Sequence, residues 1–80
     1  MNPTLFKIIQ ALEELEQDNT VPRNVKIKVA NTIKLLRDES EKSIKISKAL
    51  HELEELSEDV NVQPYTRSQI FNIVSLLEVV

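Results

Sequence analysis

The sequence predicts an all-α fold, and three observations lead to that prediction. Hydrophobic residues recur in four segments at i, i+3, i+4 and i+7, the spacing that places them on one face of a helix. No segment alternates hydrophobic and polar residues over a useful length, as a half-buried strand would. All three prolines fall where a helix can begin, a position at which the missing N–H is not needed. A chain of 80 residues, 41% hydrophobic and 29% charged, has the size of one small domain.

Each helix is predicted by its own apolar stripe. In chain order the stripes cover residues 5–15, 25–36, 46–56 and 70–77. Pro3, Pro22 and Pro64 precede the first, second and fourth stripes. Thr66 and Gln69 have the spacing of a capping box, which predicts a side-chain cap on the fourth helix. Because the connections contain only a few residues, we expect consecutive helices to pack as antiparallel neighbours.

The chain contains an internal repeat with an offset of 41 residues. Nine of 25 positions are identical when residues 12–36 are aligned with residues 53–77. The identities include a Leu-Glu-Glu-Leu run and a turn aspartate, and charge sign or apolar character is kept at several further positions. We therefore expect a single all-helical domain over residues 1–80, built from two copies of one helical hairpin, residues 5–36 and residues 46–77.

Each copy resembles a HEAT repeat, a helix pair of about 40 residues. In the first copy the pattern consists of Leu12, Leu15, Asp18, Val21, Pro22, Val25, Lys26, Val29, Ala30, Ile33 and Leu36. In the HEAT family, a turn aspartate and a basic residue early in the second helix form a ladder between adjacent repeats. The resemblance assigns these ladder positions to Asp18, Lys26, Asp59 and Arg67. Lysine at the first basic position departs from the usual arginine and weakens bidentate hydrogen bonding there.

Two packings of the four helices remain open. The hairpins can stack as two HEAT-like repeats, or they can pack more closely as a four-helix bundle.

The whole chain also resembles a family of short archaeal proteins, the uncharacterised protein family numbered 0147. The resemblance rests on the run Asp-Asn-Thr-Val-Pro-Arg-Asn at residues 18–24 and on the segment from Pro64 to Glu78, in which Thr66-Arg67 and the run Asn-Ile-Val-Ser-Leu-Leu-Glu at residues 72–78 stand out. It covers nearly all of the chain. Because that family has no assigned activity, the resemblance implies a lineage and no chemistry.

Two missing residue types exclude most catalytic sites. The absence of glycine excludes the P-loop, the dinucleotide-binding loop and the nucleophile elbow, and the absence of cysteine excludes thiol catalysis and Cys-rich zinc modules. The one histidine, His51, follows Lys48 by three residues, where a di-iron helix would have glutamate. We interpret His51 and the paired glutamates as solvated helix residues. The expectation is therefore a protein that is not an enzyme, with no catalytic residue, no metal ligand and no cofactor.

Charge is distributed unevenly along the chain, although the net charge is only −3. The formal sums are −3 for residues 1–22, +5 for residues 23–48 and −5 for residues 49–80. The basic residues of the middle segment are Arg23, Lys26, Lys28, Lys34, Arg37, Lys42, Lys45 and Lys48. On one surface, they would form a basic patch for nucleic acid, RNA or DNA, or for an acidic partner. The opposed charges of the middle and the ends would also favour self-association.

The principal functional expectation is a small protein–protein interaction or adaptor module that self-associates as a homodimer. Two repeats are fewer than the roughly three that such arrays usually need, so each copy is expected to leave apolar surface uncovered. The candidate apolar interface consists of Ile27, Leu35, Phe71, Ile73 and Leu76. Nucleic-acid binding through residues 23–48 is the alternative. No apolar run approaches the roughly 20 residues that span a bilayer, and no signal-peptide pattern is present, so we expect a cytoplasmic protein without membrane contact.

Overall fold

The structure, a computed structural model, describes residues 2–80 and confirms the all-α fold. Within these residues the chain forms four helices: α1 (Pro3–Gln17), α2 (Arg23–Arg37), α3 (Lys42–Ser57) and α4 (Pro64–Glu78). Each helix contains its predicted stripe and extends beyond it at both ends. The connections at residues 18–22, 38–41 and 58–63 are short, as predicted.

The prolines mark helix starts, as the sequence predicts. Pro3 and Pro64 are the first residues of α1 and α4, and Pro22 directly precedes α2. At the start of α1 the Asn2 side chain accepts a hydrogen bond from the Thr4 N–H at 2.8 Å. This bond satisfies one of the donors that have no partner inside the helix.

The capping prediction at Thr66 is wrong. Gln63 precedes α4 and makes no side-chain cap hydrogen bond, whereas Thr66 lies inside the first turn and is buried. Position 66 is four residues before the buried Ile70, so its side chain points toward the core and not toward the helix end.

The helices pack as a four-helix bundle in which each contacts its neighbours in the chain, and α1 also contacts α4. Over residues 2–80, the backbone of α1 does not come close to that of α3, nor that of α2 to that of α4. Two stacked HEAT-like repeats would place those like helices side by side. Of the two packings that the sequence leaves open, the contacts therefore describe the bundle, and the HEAT-like stacking is not confirmed. The overall dimensions are 32 × 19 × 18 Å, and the two shorter ones correspond to a cross-section two helices wide in each direction.

One hydrophobic core runs the length of the bundle and draws on all four helices. Its pattern repeats with the 41-residue offset: Leu12 and Leu53 are buried, as are Val29 and Ile70 and the turn valines of both copies. Truncating a buried leucine to alanine in such a core costs about 2–5 kcal/mol. The apolar stripes therefore stabilise the fold through tertiary packing, which contributes more than helix propensity does in helices of this length.

Among the helices of residues 2–80, none combines the length and the hydropathy required to cross a bilayer.

Candidate functional site

The two aspartates of the repeat form equivalent turns. Asp18 Oδ1 accepts hydrogen bonds from the Thr20 hydroxyl at 2.7 Å and from the Thr20 N–H at 2.9 Å. Asp59 Oδ1 accepts one from the Asn61 N–H at 2.8 Å. The main-chain oxygens of both aspartates accept from the N–H three residues later, at 3.1 and 3.2 Å. The Thr20 hydroxyl, followed by the Thr20 N–H, holds the pKa of Asp18 below its usual value.

The basic residues of the two copies behave differently. Arg67 Nη2 donates to the main-chain oxygens of Asp59 at 2.9 Å and of Val62 at 3.4 Å, so the side chain ties α4 to the turn before it. Lys26, the equivalent residue in the first copy, forms no ion pair within residues 2–80. Both hydrogen bonds of Arg67 come from Nη2, a terminal nitrogen of the guanidinium that has two N–H groups.

The predicted ladder between repeats is not found in the part of the chain that the structure describes. The contacts of Arg67 stay within its own copy, and Lys26 reaches no aspartate of the other copy. Polar contacts between the two repeats run instead from α2 to α3: Asn24 Nδ2 donates to Asp59 Oδ2 at 3.3 Å, and Lys28 Nζ lies 2.6 Å from Glu55 Oε2. The bundle explains this difference, because the start of α2 lies beside the end of α3 and not beside the start of α4.

The structure divides the predicted basic patch between two sides of α2. Lys28 Nζ lies 2.6 Å from Glu55 Oε2 on α3, and Arg37 Nη2 lies 2.9 Å from Glu13 Oε2 on α1. Two of the five positive charges of α2 therefore point toward different neighbouring helices, where acidic side chains neutralise them. The exposed members of the set are Arg23, Lys34, Arg37, Lys42 and Lys48, and the half-buried ones are Lys26, Lys28 and Lys45.

The histidine belongs to a small exposed charge cluster. Glu55 Oε1 lies 2.7 Å from His51 Nε2, and the other carboxylate oxygen of Glu55 accepts from Lys28. The hydrogen bond from Lys28 lowers the pKa of Glu55 and raises that of Lys28. The His51 side chain is exposed and extends from the outer surface of α3 into solvent, so this arrangement is a surface ion-pair network.

The candidate apolar interface is present only in part. Ile27 is 54% exposed, Phe71 53% and Leu76 39%, and Leu35 is half-buried. The prediction for Ile73 is wrong, because this side chain is 2% exposed and belongs to the core. Ile73 lies three residues after one core position of α4 and four before another, which puts it on the inward stripe.

Five further hydrophobic side chains of residues 2–80 are exposed that the sequence did not predict, namely Phe6, Ile44, Val60, Tyr65 and Val79. Tyr65 lies on α4 and Val79 follows it directly. The 3.6-residue period of the helix would have predicted that both lie outside the core stripe. Tyr65, Asn72 and Val79 are spaced by seven residues, so they follow one line along the helix outside the core stripe.

The positions of Glu13 and Glu78 show which flanks of α1 and α4 face one another. Glu13 contacts α2, so the opposite flank of α1 is turned toward α4, its other neighbour. Glu78 lines a groove shared with α3, so the opposite flank of α4 is turned toward α1. We call these two flanks the α1/α4 seam, and its residues are Lys7, Ala11, Glu14, Tyr65, Gln69, Asn72 and Leu76.

The 41-residue repeat makes the α1/α4 seam equivalent by position to the seam between α2 and α3. The two seams nevertheless carry different residues. Lys28 and its ion pair bridge the α2/α3 seam, whereas the residue equivalent to Lys28 is Gln69. The Gln69 Oε1 atom is buried and has no hydrogen-bond donor within residues 2–80. α1 also packs less extensively on α4 than on α2. The α1/α4 seam is thus the less polar and the less tightly closed of the two.

Two open grooves lie at the end of the bundle that contains the α2–α3 connection. The larger, about 650 Å³, has an apolar floor of Ile46, Leu50, Leu77 and Val80. The smaller, about 380 Å³, is lined mainly by polar residues around the connection at residues 38–40. Across the described part of the chain, no cluster of three or more His, Cys, Asp or Glu side chains could hold a metal ion.

The fold and these surfaces define a small protein built as a bundle of four helices, with polar and apolar seams between neighbouring helices. The chain belongs to the Uncharacterised protein family (UPF0147), whose family model matches residues 1–80, as the sequence resemblance predicts.

Archaeal relatives agree with this assignment. The UPF0147 protein of Sulfurisphaera tokodaii is 38% identical over 78 residues, which cover 92% of this chain and 88% of the relative. A UPF0147 protein of Thermococcus kodakarensis is 37% identical over 80 residues, covering 98% of this chain and 96% of the relative. Among solved structures, the crystal structure of the unknown function protein MMP1188 matches with a TM-score of 0.91 and 38% identity, and covers 99% of this chain and 93% of its own.

Proposed function

We propose that this protein is a small non-catalytic interaction module of the cytoplasm, and that it associates with itself. The observation that supports this proposal most is the surface of α4. Among residues 2–80, half of the eight large exposed hydrophobic residues lie on α4 or directly after it, namely Tyr65, Phe71, Leu76 and Val79. A helix facing solvent normally carries charged residues on its outer side, whereas α4 has only Arg67 and Glu78.

The size of the chain supports association as well. A domain of 80 residues buries a smaller share of its surface than a larger one, so its stability is marginal. A partner that binds only the folded form increases the apparent stability. A standard interface takes about 800 Å² from each partner. The total accessible surface of this chain is 5093 Å², so such an interface would cover less than a fifth of it.

Sedimentation equilibrium over a micromolar concentration series tests the proposal. We expect the mass to rise with concentration from 9.2 kDa toward about twice that value. A mass that stays at 9.2 kDa over the whole series would contradict self-association.

Nucleic-acid binding is a second proposal, and one specific feature of α2 favours it. This helix contains five basic residues and no acidic one, and Arg23 and Lys34 are exposed without an ion pair in residues 2–80. Against it, Glu55 and Glu13 neutralise two of the five charges. A gel-shift titration with RNA and DNA at low salt distinguishes the proposals. Retention that falls steeply with salt and with Lys34→Glu would favour nucleic-acid binding.

A further inference from the structure

We infer that a second copy of this chain docks on the α1/α4 seam, with the two α1 helices antiparallel about a two-fold axis near Ala11. The inference rests on the proposed self-association and adds the surface and the register. The α1/α4 seam and the α2/α3 seam lie at equivalent positions of the repeat, but they differ in charge. Lys28 and Glu52 lie on the α2/α3 seam, and the equivalent residues of the α1/α4 seam are Gln69 and Ala11.

The charged residues of α1 on the α1/α4 seam have no ion-pair partner among residues 2–80. Lys7 and Glu14 are exposed and form no ion pair within residues 2–80. Glu55, the equivalent of Glu14 in the second repeat of the same chain, is bound by Lys28 at 2.6 Å. The α2/α3 seam therefore has an ion pair between its two helices, and the α1/α4 seam has none among residues 2–80.

The spacing of these charges suits a second copy of the same surface. Lys7 lies four residues before Ala11 and Glu14 lies three residues after it, so all three fall on one helix face. Two antiparallel α1 helices that cross near Ala11 bring Lys7 of each copy to Glu14 of the other. A two-fold interface pairs a surface with itself, so it forms this contact twice. Alanine at the crossing point allows the two helices to approach closely.

The hydrophobic residues of α4 follow the same symmetry. Tyr65 and Leu76 lie on this flank, eleven residues apart, which is about 16 Å along a helix. Rotation about the proposed axis brings Tyr65 of one copy toward Leu76 of the other at both ends of the interface. Tyrosine suits such a position because its ring is buried while its hydroxyl finds a polar partner.

A charge-exchange experiment tests both the surface and the register. Lys7→Glu and Glu14→Lys each turn the two attractive contacts of the dimer into two repulsive ones, so each variant alone should dimerise on the order of tenfold more weakly. An equimolar mixture of the two variants should form a heterodimer with both contacts restored. The double variant should form a homodimer in which both contacts are also restored. Native mass spectrometry resolves these species. Circular dichroism checks that the exposed substitutions leave the helices intact.

Ile27→Glu is the matched control, because Ile27 is as exposed as the other surface hydrophobics but lies on α2. We expect this variant to dimerise like the wild type, and Leu76→Glu to be monomeric. A wild-type dimer that Ile27→Glu abolishes, or one that neither charge variant weakens, would overturn the assigned surface while self-association stands. A monomeric wild type would overturn the proposed function and, with it, this inference.

Discussion

Replacing Arg67 by alanine should destabilise the protein far more than replacing Lys26 by alanine. The two residues occupy equivalent positions 41 residues apart, so each serves as the control for the other. Arg67 binds two main-chain oxygens of the α3–α4 connection, whereas Lys26 forms no ion pair within residues 2–80. Loss of the arginine leaves the Asp59 carbonyl with only the Val62 N–H as its donor, at 3.2 Å, and removes the charged donor from both carbonyls.

The hydrogen-bond distances set the size of the effect. A hydrogen bond from a charged donor contributes about 1.5–3 kcal/mol, and the bond to Asp59 at 2.9 Å has a full-strength length. The bond to Val62, at 3.4 Å, is too long to add much. The Arg67 Nε atom is buried and lacks an acceptor among residues 2–80, and removing it recovers part of the loss. We therefore expect about 2 kcal/mol for Arg67→Ala, and under about 0.5 kcal/mol for Lys26→Ala.

Urea unfolding followed by circular dichroism measures both variants. All samples should share one protein concentration, because association would add to the apparent stability. For a domain of 80 residues, 2 kcal/mol corresponds to a fall in melting temperature of about 10 °C. Equal losses for Arg67→Ala and Lys26→Ala would refute the reasoning, because they would mean that the two carbonyl contacts contribute nothing.

Two further predictions concern stability. Ile73→Ala should lower the free energy of unfolding by about 2–4 kcal/mol, because the side chain is buried. Ile27→Ala should lower it by under about 0.5 kcal/mol, because Ile27 is exposed. Equal losses in urea unfolding would mean that Ile73 does not belong to the core. Because the hydrogen bond from Lys28 lowers the folded-state pKa of Glu55 below its usual 4.5, the stability from this pair is present above pH 4.5 and is lost as pH falls through the lowered pKa. Glu55→Gln should therefore flatten the acid limb of a plot of unfolding midpoint against pH, while Glu54→Gln should not; an acid limb unchanged by Glu55→Gln would contradict the assignment.

Much of the fold could be predicted from the sequence because helices depend on local periodicity. The stripe at residues 5–15 is buried in the structure at every position that the i, i+3, i+4 spacing marks. The prolines could be placed for a similar reason, since proline restricts its own backbone and lacks one donor. Thr66 shows where local reasoning fails. Its spacing to Gln69 imitates a cap, but its distance of four residues from Ile70 places it in the core.

The candidate sites were less predictable because they depend on neighbours that are distant in the sequence. The basic run of α2 suggested one patch, but Lys28 and Arg37 pair with acids 27 and 24 residues away on two different helices. The excess of apolar residues on α4 was visible, yet Ile73 could not be separated from Phe71 and Leu76 without the direction of the core. The α1/α4 seam was not foreseen, since the contact between the first and last helices appears only in the bundle.

The amino-acid sequence alone is enough to place the four helices, most of their buried residues, the repeat and the family, because each follows from patterns within a few turns of chain or from direct similarity. The assembled bundle was needed to show that α1 closes against α4, that like helices lie diagonally, and which charges are paired within the chain. Those features depend on how four amphipathic surfaces share one core, and several helix arrangements satisfy the same stripes until all the side chains are packed together.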